Sequence, residues 1–455
     1  MSMWRWAIIL ALGLVACGGG SGRDTDPSQF HPPTAAAAGE AGCSWLVVSN
    51  PDLINVAFPD EAATYWVATL PALPGARLRI DGRYPQARYF SFNVYDPALR
   101  PVDAITDYQI LPRVAGTNPY QDAGAAAGGG YVAYVVDGAT PDPRATNTLY
   151  TNVVRAPGGA GGLPNPSITL IYRIYLPEID GSGGVPLPQL TLETADGATA
   201  PVSFAQCDPL PPDGLPSLLN EAIRDASYPP GVDVVPVPIA PSEPRITRFY
   251  GLPETLRVLA SNAVGFDLPL QQITASDTGG GFLSNVDNAY VTTMASRDKG
   301  ALYIVRARAP VWAREPVDAP LGDAQLRYWS ICSNEFVSQR FVACLADHEV
   351  ALDDAGYFTV VVSDPDQQPA NAVAGQGSLG GMNWLPWGGA YADSVLIYRH
   401  MLPSPQFAEA IQNVPYGTPV EDAMGEYAPR AVYCDRATIE AAASAAQAFA
   451  ACAAR

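Results

Sequence analysis

Residues 170–177, LIYRIYLP, and residues 396–403, LIYRHMLP, share six of eight residues in the same order. A strand-like line written twice, half a chain apart, constrains the fold more than any other feature. It requires two units of one architecture, each with its own core. Other matches keep the same order at separations of 225–240 residues. Tyr65 meets Tyr290, and Arg83 and Pro85 meet Arg308 and Pro310. RYFSF (88–92) meets RYWSI (327–331), ITDYQI meets LADHEV with Asp107 on Asp347, and YVAYVVD meets YFTVVVS. Both units end alike, QCDP placing Cys207 against Cys434 of YCDR. The offsets change where WAREPVDAPLGD is inserted in the second copy and AGTNPYQDAGAAAGGG in the first.

The matched segments are short, rich in Val, Ile, Tyr and Phe, and bounded by Gly, Pro, Asn and Asp, which is the pattern of β-strands. In TLIYRIYL, Leu170, Tyr172, Ile174 and Leu176 share one face, while Ile171, Arg173 and Tyr175 share the other. The expected fold is all-β: two tandem, related antiparallel β-sandwich units, jelly-roll-like, over 42–210 and 245–455. A helix at 214–230 and a proline-rich linker within 211–244 join them. The alanine-rich C-terminus, DRATIEAAASAAQAFAACAAR, predicts a helix.

The N-terminus predicts export. Arg5 precedes an apolar run, Ala7–Ala16, that is too short to span a bilayer. Leu14-Val15-Ala16-Cys17 resembles the lipobox of bacterial lipoproteins. That resemblance implies a signal peptide over 1–16, lipid on Cys17, a tether over 17–41, and anchoring in the bacterial cell envelope, on the outer membrane at its periplasmic or surface side. Six cysteines remain, an even number that in an exported chain favours disulfides over metal ligands. Cys434 and Cys452 flank the alanine-rich stretch, so a disulfide between them could pin that helix to its own unit, and by repeat logic Cys207 closes the first unit with Cys43. Cys332 and Cys344 then pair; their first-copy counterparts are Asn93 and Ala104, so both cysteines are missing there together. A net charge of −19, with Lys299 the sole lysine, disfavours nucleic acid as a partner.

The second unit runs through GFLSNVDNAYV, RYWSIC, DDAGYFTVVVS, NWLPW and LIYRHMLP. In this order the segments resemble secreted bacterial domains of the domain-of-unknown-function families 1254 and 1214, mainly over 275–405. The carrying residues are Asn285, Asp287 and Tyr290; Tyr328, Trp329 and Ser330; Asn383, Trp384, Leu385 and Pro386; and Arg399. Met401 stands where those families have tyrosine, and NTLY (147–150) is a loose first-unit substitute for the Asn-Trp-Leu-Pro corner. The resemblance implies an all-β fold and export, and it brings no established activity.

Several groups have the chemistry of a site. Asp347, His348 and His400, with Ser330, could form a nucleophilic constellation; the alternative is ordinary strand histidines, since no G-x-S-x-G elbow is present. Asp277, Asn285 and Asp287 offer oxygens to calcium, or simply make turns. Arg306, Arg308, Trp329, Asn383, Trp384 and Arg399 could bind a sugar ring or a carboxylate, or build a core. Arg173 and Arg399, mid-strand in both copies, need partners, and the matched acids Asp107 and Asp347 are the expected ones. No cofactor other than calcium is expected. The leading expectation is a membrane-anchored, non-catalytic binding or scaffolding protein for a glycan, small molecule or envelope protein. The alternative is an extracytoplasmic hydrolase with its site in the second unit.

Overall fold

The computed structural model describes residues 43–151, 167–204, 240–249, 257–261, 283–313, 323–335, 338–373, 380–388 and 392–455, apart from positions 52, 56, 72, 98, 123 and 259. The signal segment, Cys17, the tether, Cys207, Asp277, the 214–230 stretch and most of the linker lie outside these residues.

The first unit's described strands are β1 (Val47–Ser49), β2 (Ala63–Pro71), β3 (Ala76–Arg83), β4 (Ala87–Tyr95) and β5 (Pro101–Thr106), followed by β6 (Gly130–Val136), β7 (Thr148–Tyr150), β8 (Ser167–Pro177), β9 (Gln189–Thr194) and β10 (Thr199–Pro201). They form two sheets, ordered β1-β2-β8-β4-β5 and β10-β9-β3-β6-β7. The second unit has β11 (Ile246–Phe249), β12 (Asn288–Ser296), β13 (Leu302–Arg308), β14 (Leu326–Glu335) and β15 (Phe341–Ala346), then β16 (Tyr357–Ser363), β17 (Met382–Pro386), β18 (Asp393–Pro403) and β19 (Arg430–Cys434). Its sheets are ordered β11-β12-β18-β14-β15 and β17-β16-β13-β19. Apart from β10, the two units have the same strand order. Among the named strands pairing is antiparallel except for β6–β7 and β16–β17. The expected pair of related all-β sandwiches is therefore the fold.

Each sandwich has an aromatic-rich core. In the first, Trp66, Phe90, Phe92, Tyr131 and Tyr172 pack with Leu170 and Ile174; Phe92 and Tyr172 stack at 4.9 Å. In the second, Trp329 stacks on Phe358 at 5.4 Å and meets Tyr398 edge-on. Alternation sends Tyr172 and Tyr398 inward on β8 and β18, so Arg173 and Arg399 point to the opposite face.

The asparagine corners match more closely than the sequence indicates. Asn383 accepts from Ala351 N–H and donates to the carbonyls of Ala351 and Thr359. Asn147 accepts from Leu111 N–H and donates to the carbonyls of Leu111 and Val132. NTLY is thus the working counterpart of NWLP. The asparagine is what both corners need, because its amide satisfies both ends of a passing backbone.

Two expected disulfides form, Cys332–Cys344 and Cys434–Cys452. The first joins directly opposed residues of β14 and β15. The second ties β19 to the C-terminus, which is two short helices rather than one: α1 (Arg436–Glu440) and α2 (Ala445–Ala453). Asp435 and Ser444 each cap one N-terminus, so a second start signal interrupts the alanine-rich run. Phe449 and Cys452 pack on the outer face of β13 and β16.

Candidate functional site at the seam between the units

The faces of β8 and β18 that carry arginine do not face solvent. Tyr89 and Tyr175 of the first unit pack with Tyr328, Ala346 and Met401 of the second. This is a seam between the two five-stranded sheets, and its polar contacts run reciprocally. Arg88 pairs with Asp347 at 2.5 Å, and Arg327 pairs with Asp107 at 3.4 Å. Arg88 matches Arg327 in the repeat and Asp107 matches Asp347, so one ion pair is made twice, each time across the seam.

The loop before the second strand of each five-stranded sheet, β2 in the first unit and β12 in the second, repeats the exchange. Phe58 O accepts from Arg399 and Leu283 O accepts from Arg173. Phe58 N–H donates to Gln339 O, and Leu283 N–H donates to Leu99 O. The backbone angle is reproduced too: φ is +54° and +53° at Phe58 and Leu283, and +59° at both Leu99 and Gln339. Within the units, Leu176 and Leu402 have φ of +47° and +45°. Non-glycine residues in this region cost on the order of 1–3 kcal/mol each. Their recurrence in pairs means that the surrounding contacts impose them.

The two halves of the seam differ at two acids: Asp60 is matched by Asn285, and Asp287 by Ala62. Asp60 accepts from Tyr328 Oη (2.9 Å), Ser330 Oγ (2.7 Å) and Arg399 (3.1 Å), all in the other unit. At the matching position stands Asn285, which meets Tyr89 Oη at 2.9 Å. Arg173 consequently has no carboxylate within ion-pair distance among the described residues. Tyr95 Oη accepts from it at 2.5 Å, and the rings of Tyr65 and Tyr95 lie 5.4 Å from its guanidinium. Asp287 accepts from Tyr89 Oη (2.7 Å) and Thr106 Oγ1 (2.5 Å). Burial raises Asp287 above the usual carboxylate range. Burial also pushes Asp107 up to about 6, against the opposing pull of Arg327.

This geometry corrects several expectations. Arg173 and Arg399 do not pair with Asp107 and Asp347; those acids take Arg88 and Arg327 of the opposite unit, and Arg399 takes Asp60. Asn285 and Asp287 do not gather as an open oxygen cluster, because hydroxyls of the first unit engage their oxygens. Asp60, Cys332 and Cys344 bring ligand-type atoms within 4.8 Å of one another. The two sulfurs are joined as a disulfide, and Arg399 donates to Cys332 Sγ at 2.7 Å, so this set does not suit a cation.

The histidines are not brought together. His400 is buried inside the second sandwich, against Tyr398 and Phe407. Its Nδ1 accepts from Ile411 N–H at 3.2 Å. That bond places any ring proton on Nε2, which has no partner among the described residues. Burial drives the imidazole down to about 3, so it is neutral at neutral pH. His348 is 40% exposed at the edge of the seam, with Nδ1 3.5 Å from Asp347, whose carboxylate also holds Arg88. Ser330 donates to Asp60, not to a histidine.

No family profile and no curated protein matches the chain. Two solved structures are similar in shape. One, an uncharacterized protein from Burkholderia cenocepacia, has a TM-score of 0.43 and 14% identity, covering 87% of this chain and 83% of that one. The other, a protein from Vibrio parahaemolyticus, has a TM-score of 0.36 and 11% identity, covering 83% of this chain and 90% of that one.

Of the expected binding residues, Trp329 and Asn383 are fully buried, one in the core and one bracing backbone. Trp384 is half-buried and donates to Ser363 Oγ at 2.9 Å. Arg308 is exposed, and Arg306, two residues before it on the outer face of β13, is largely covered, with its side chain 13% exposed. Arg306 lies 4.7 Å over Tyr357 and pairs with Asp353. Arg308 lies 5.6 Å over Tyr427 and pairs with Glu426. Sequence reasoning missed Asp60, Arg88 and Arg327. The available signal was the leading arginine shared by RYFSF and RYWSI beside the shared aspartate of ITDYQI and LADHEV.

Proposed function

We propose that this chain is an exported cell-envelope lipoprotein of binding or scaffolding type, related to families 1254 and 1214, whose ligand is a glycan, a small molecule or an envelope protein. The observation that carries the binding reading is the exposed Arg308 held over Tyr427, with Arg306 over Tyr357 beside it. Planar cations held beside aromatic rings suit sugar faces and carboxylates. The groups of catalytic type are engaged otherwise: Asp347 by Arg88, Ser330 by Asp60, and His400 by Ile411 in a core. Export draws support from two disulfides, which persist in oxidising compartments.

A thermal-shift screen of glycans, carboxylates and calcium tests the reading. A ligand at 100 times its Kd is expected to stabilise by about 2.7 kcal/mol. The shift should shrink in Arg308→Ala and be unchanged in His348→Ala. A shift abolished by His348→Ala, or turnover of any ester or glycoside in the screen, would favour a hydrolase instead. Anchoring has its own measurement: palmitate labelling in a bacterial host is expected to be lost completely in Cys17→Ser. Equal labelling of both proteins would remove the lipid from the proposal.

A further inference from the structure

We propose that the seam is isologous and that a second copy of this chain can complete it, with each chain's first sandwich closing on the other chain's second. The inference does not depend on what the protein binds.

Three observations carry it. First, the contacts are reciprocal at side chain and backbone alike: Arg88–Asp347 with Arg327–Asp107, Phe58–Gln339 with Leu283–Leu99, and Phe58–Arg399 with Leu283–Arg173. A reciprocal interface is built from one surface used twice, which is the defining property of two-fold subunit contacts. Nothing in these pairs requires both partners to belong to one chain.

Second, the seam is closed by charge pairs as well as by apolar packing. Wrong registers would bury an unpaired arginine or aspartate, so the faces recognise each other selectively. Third, the connection is long. Residues 205–239 separate Phe204 from Ala240, 35 residues in all. With the expected helix over 214–230 rising about 1.5 Å per residue and the other residues reaching at most about 3.3–3.6 Å each, they can span roughly 85 Å. A unit of this size has a diameter of roughly 40 Å. The second sandwich can therefore reach a partner chain. Within one chain the linkage sets a high effective concentration, so the closed monomer wins in dilute solution and exchange grows with chain concentration.

Charge reversal in the full chain distinguishes the two arrangements. Arg88→Asp sets two aspartates against each other in its own chain, and Asp347→Arg sets two arginines. Exchange between identical variant chains repeats the same clash. When the two variants are unfolded, mixed and refolded together, exchange between unlike chains restores one native pair and one reversed pair. The expected result is a species of two chains, one of each variant, by light scattering and mass spectrometry. Its yield should exceed that from either variant alone by about tenfold, the factor that 1.4 kcal/mol supplies. Only single chains or aggregate in the mixture, with yields equal to the separate variants, would overturn the proposal. Should the variants give no soluble protein, wild-type chains carrying donor and acceptor dyes decide it. Energy transfer that rises with refolding concentration in a two-chain fraction supports exchange, and a single-chain product at every concentration overturns it.

Discussion

Asp60→Ala should lower stability by about 3–5 kcal/mol, the cost of stranding a buried charge by removing its partner. Asp60 is itself buried, and it gathers the Tyr328 hydroxyl, the Ser330 hydroxyl and the Arg399 guanidinium from the opposite unit. Without it, Arg399 keeps Phe58 O, the Ser330 hydroxyl, a disulfide sulfur and the ring of Tyr290, none of which carries a negative charge. The measurement is urea unfolding followed by a probe in each unit, since loss of the seam is expected to separate two transitions that otherwise coincide. Asp60→Ala with Arg399→Met removes both charges and should recover most of the loss, because a well-packed apolar pair is close to neutral against a buried ion pair. A loss below about 1 kcal/mol for Asp60→Ala, the range of exposed pairs, would mean that water reaches the seam and that the charge pairs do not hold it shut.

His400→Gln is expected to make the second unit less sensitive to acid. The folded imidazole is held down to about 3 by burial, against an unfolded value near 6.5. Between these limits the unfolded chain binds a proton that the folded chain refuses. The contribution is therefore fully present above about pH 6.5 and is lost as pH falls toward 3, at about 1.4 kcal/mol per pH unit. Glutamine offers Ile411 N–H an acceptor and does not titrate. The difference in stability between wild type and variant should move by about 2 kcal/mol against the wild type between pH 7 and pH 5. Asp107 has the opposite sign: raised to about 6, its contribution is present below the unfolded carboxylate value and lost as pH rises through 6. It is common to both proteins, so it cancels from the difference. Parallel pH profiles would show that His400 does not stay neutral inside the fold.

The architecture was legible because repetition and alternation are properties of the sequence itself. LIYRIYLP and LIYRHMLP located β8 and β18, and the missing partners Asn93 and Ala104 pointed to the Cys332–Cys344 bridge. The alternation also showed that Arg173 and Arg399 lie opposite the sandwich cores. It could not show what covers that face. Packing of one repeat on the other is a long-range fact without a local signature, so the pattern offers the arginines the matched acids and conceals the partners across the seam. The same blindness affects Asn285 and Asp287, which read as cation ligands and are seam residues. NTLY is a loose match because two of its four residues depart from NWLP, although the asparagine that does the hydrogen bonding is kept. The interrupted C-terminal helix was legible in Ser444, whose capping role outweighs the alanines around it.

The reciprocal seam also changes how substitutions count. In a dimer of identical subunits every interface mutation appears twice, so a damaging change is doubled and a new asymmetric feature is forbidden. Here each seam position is encoded once. One half can keep an acid at Asp60 while the other holds Asn285. One half can carry a cross-strand disulfide at 332 and 344 while the other holds Asn93 and Ala104. Joining the two surfaces in one chain lets each side drift alone, provided its opposite number follows.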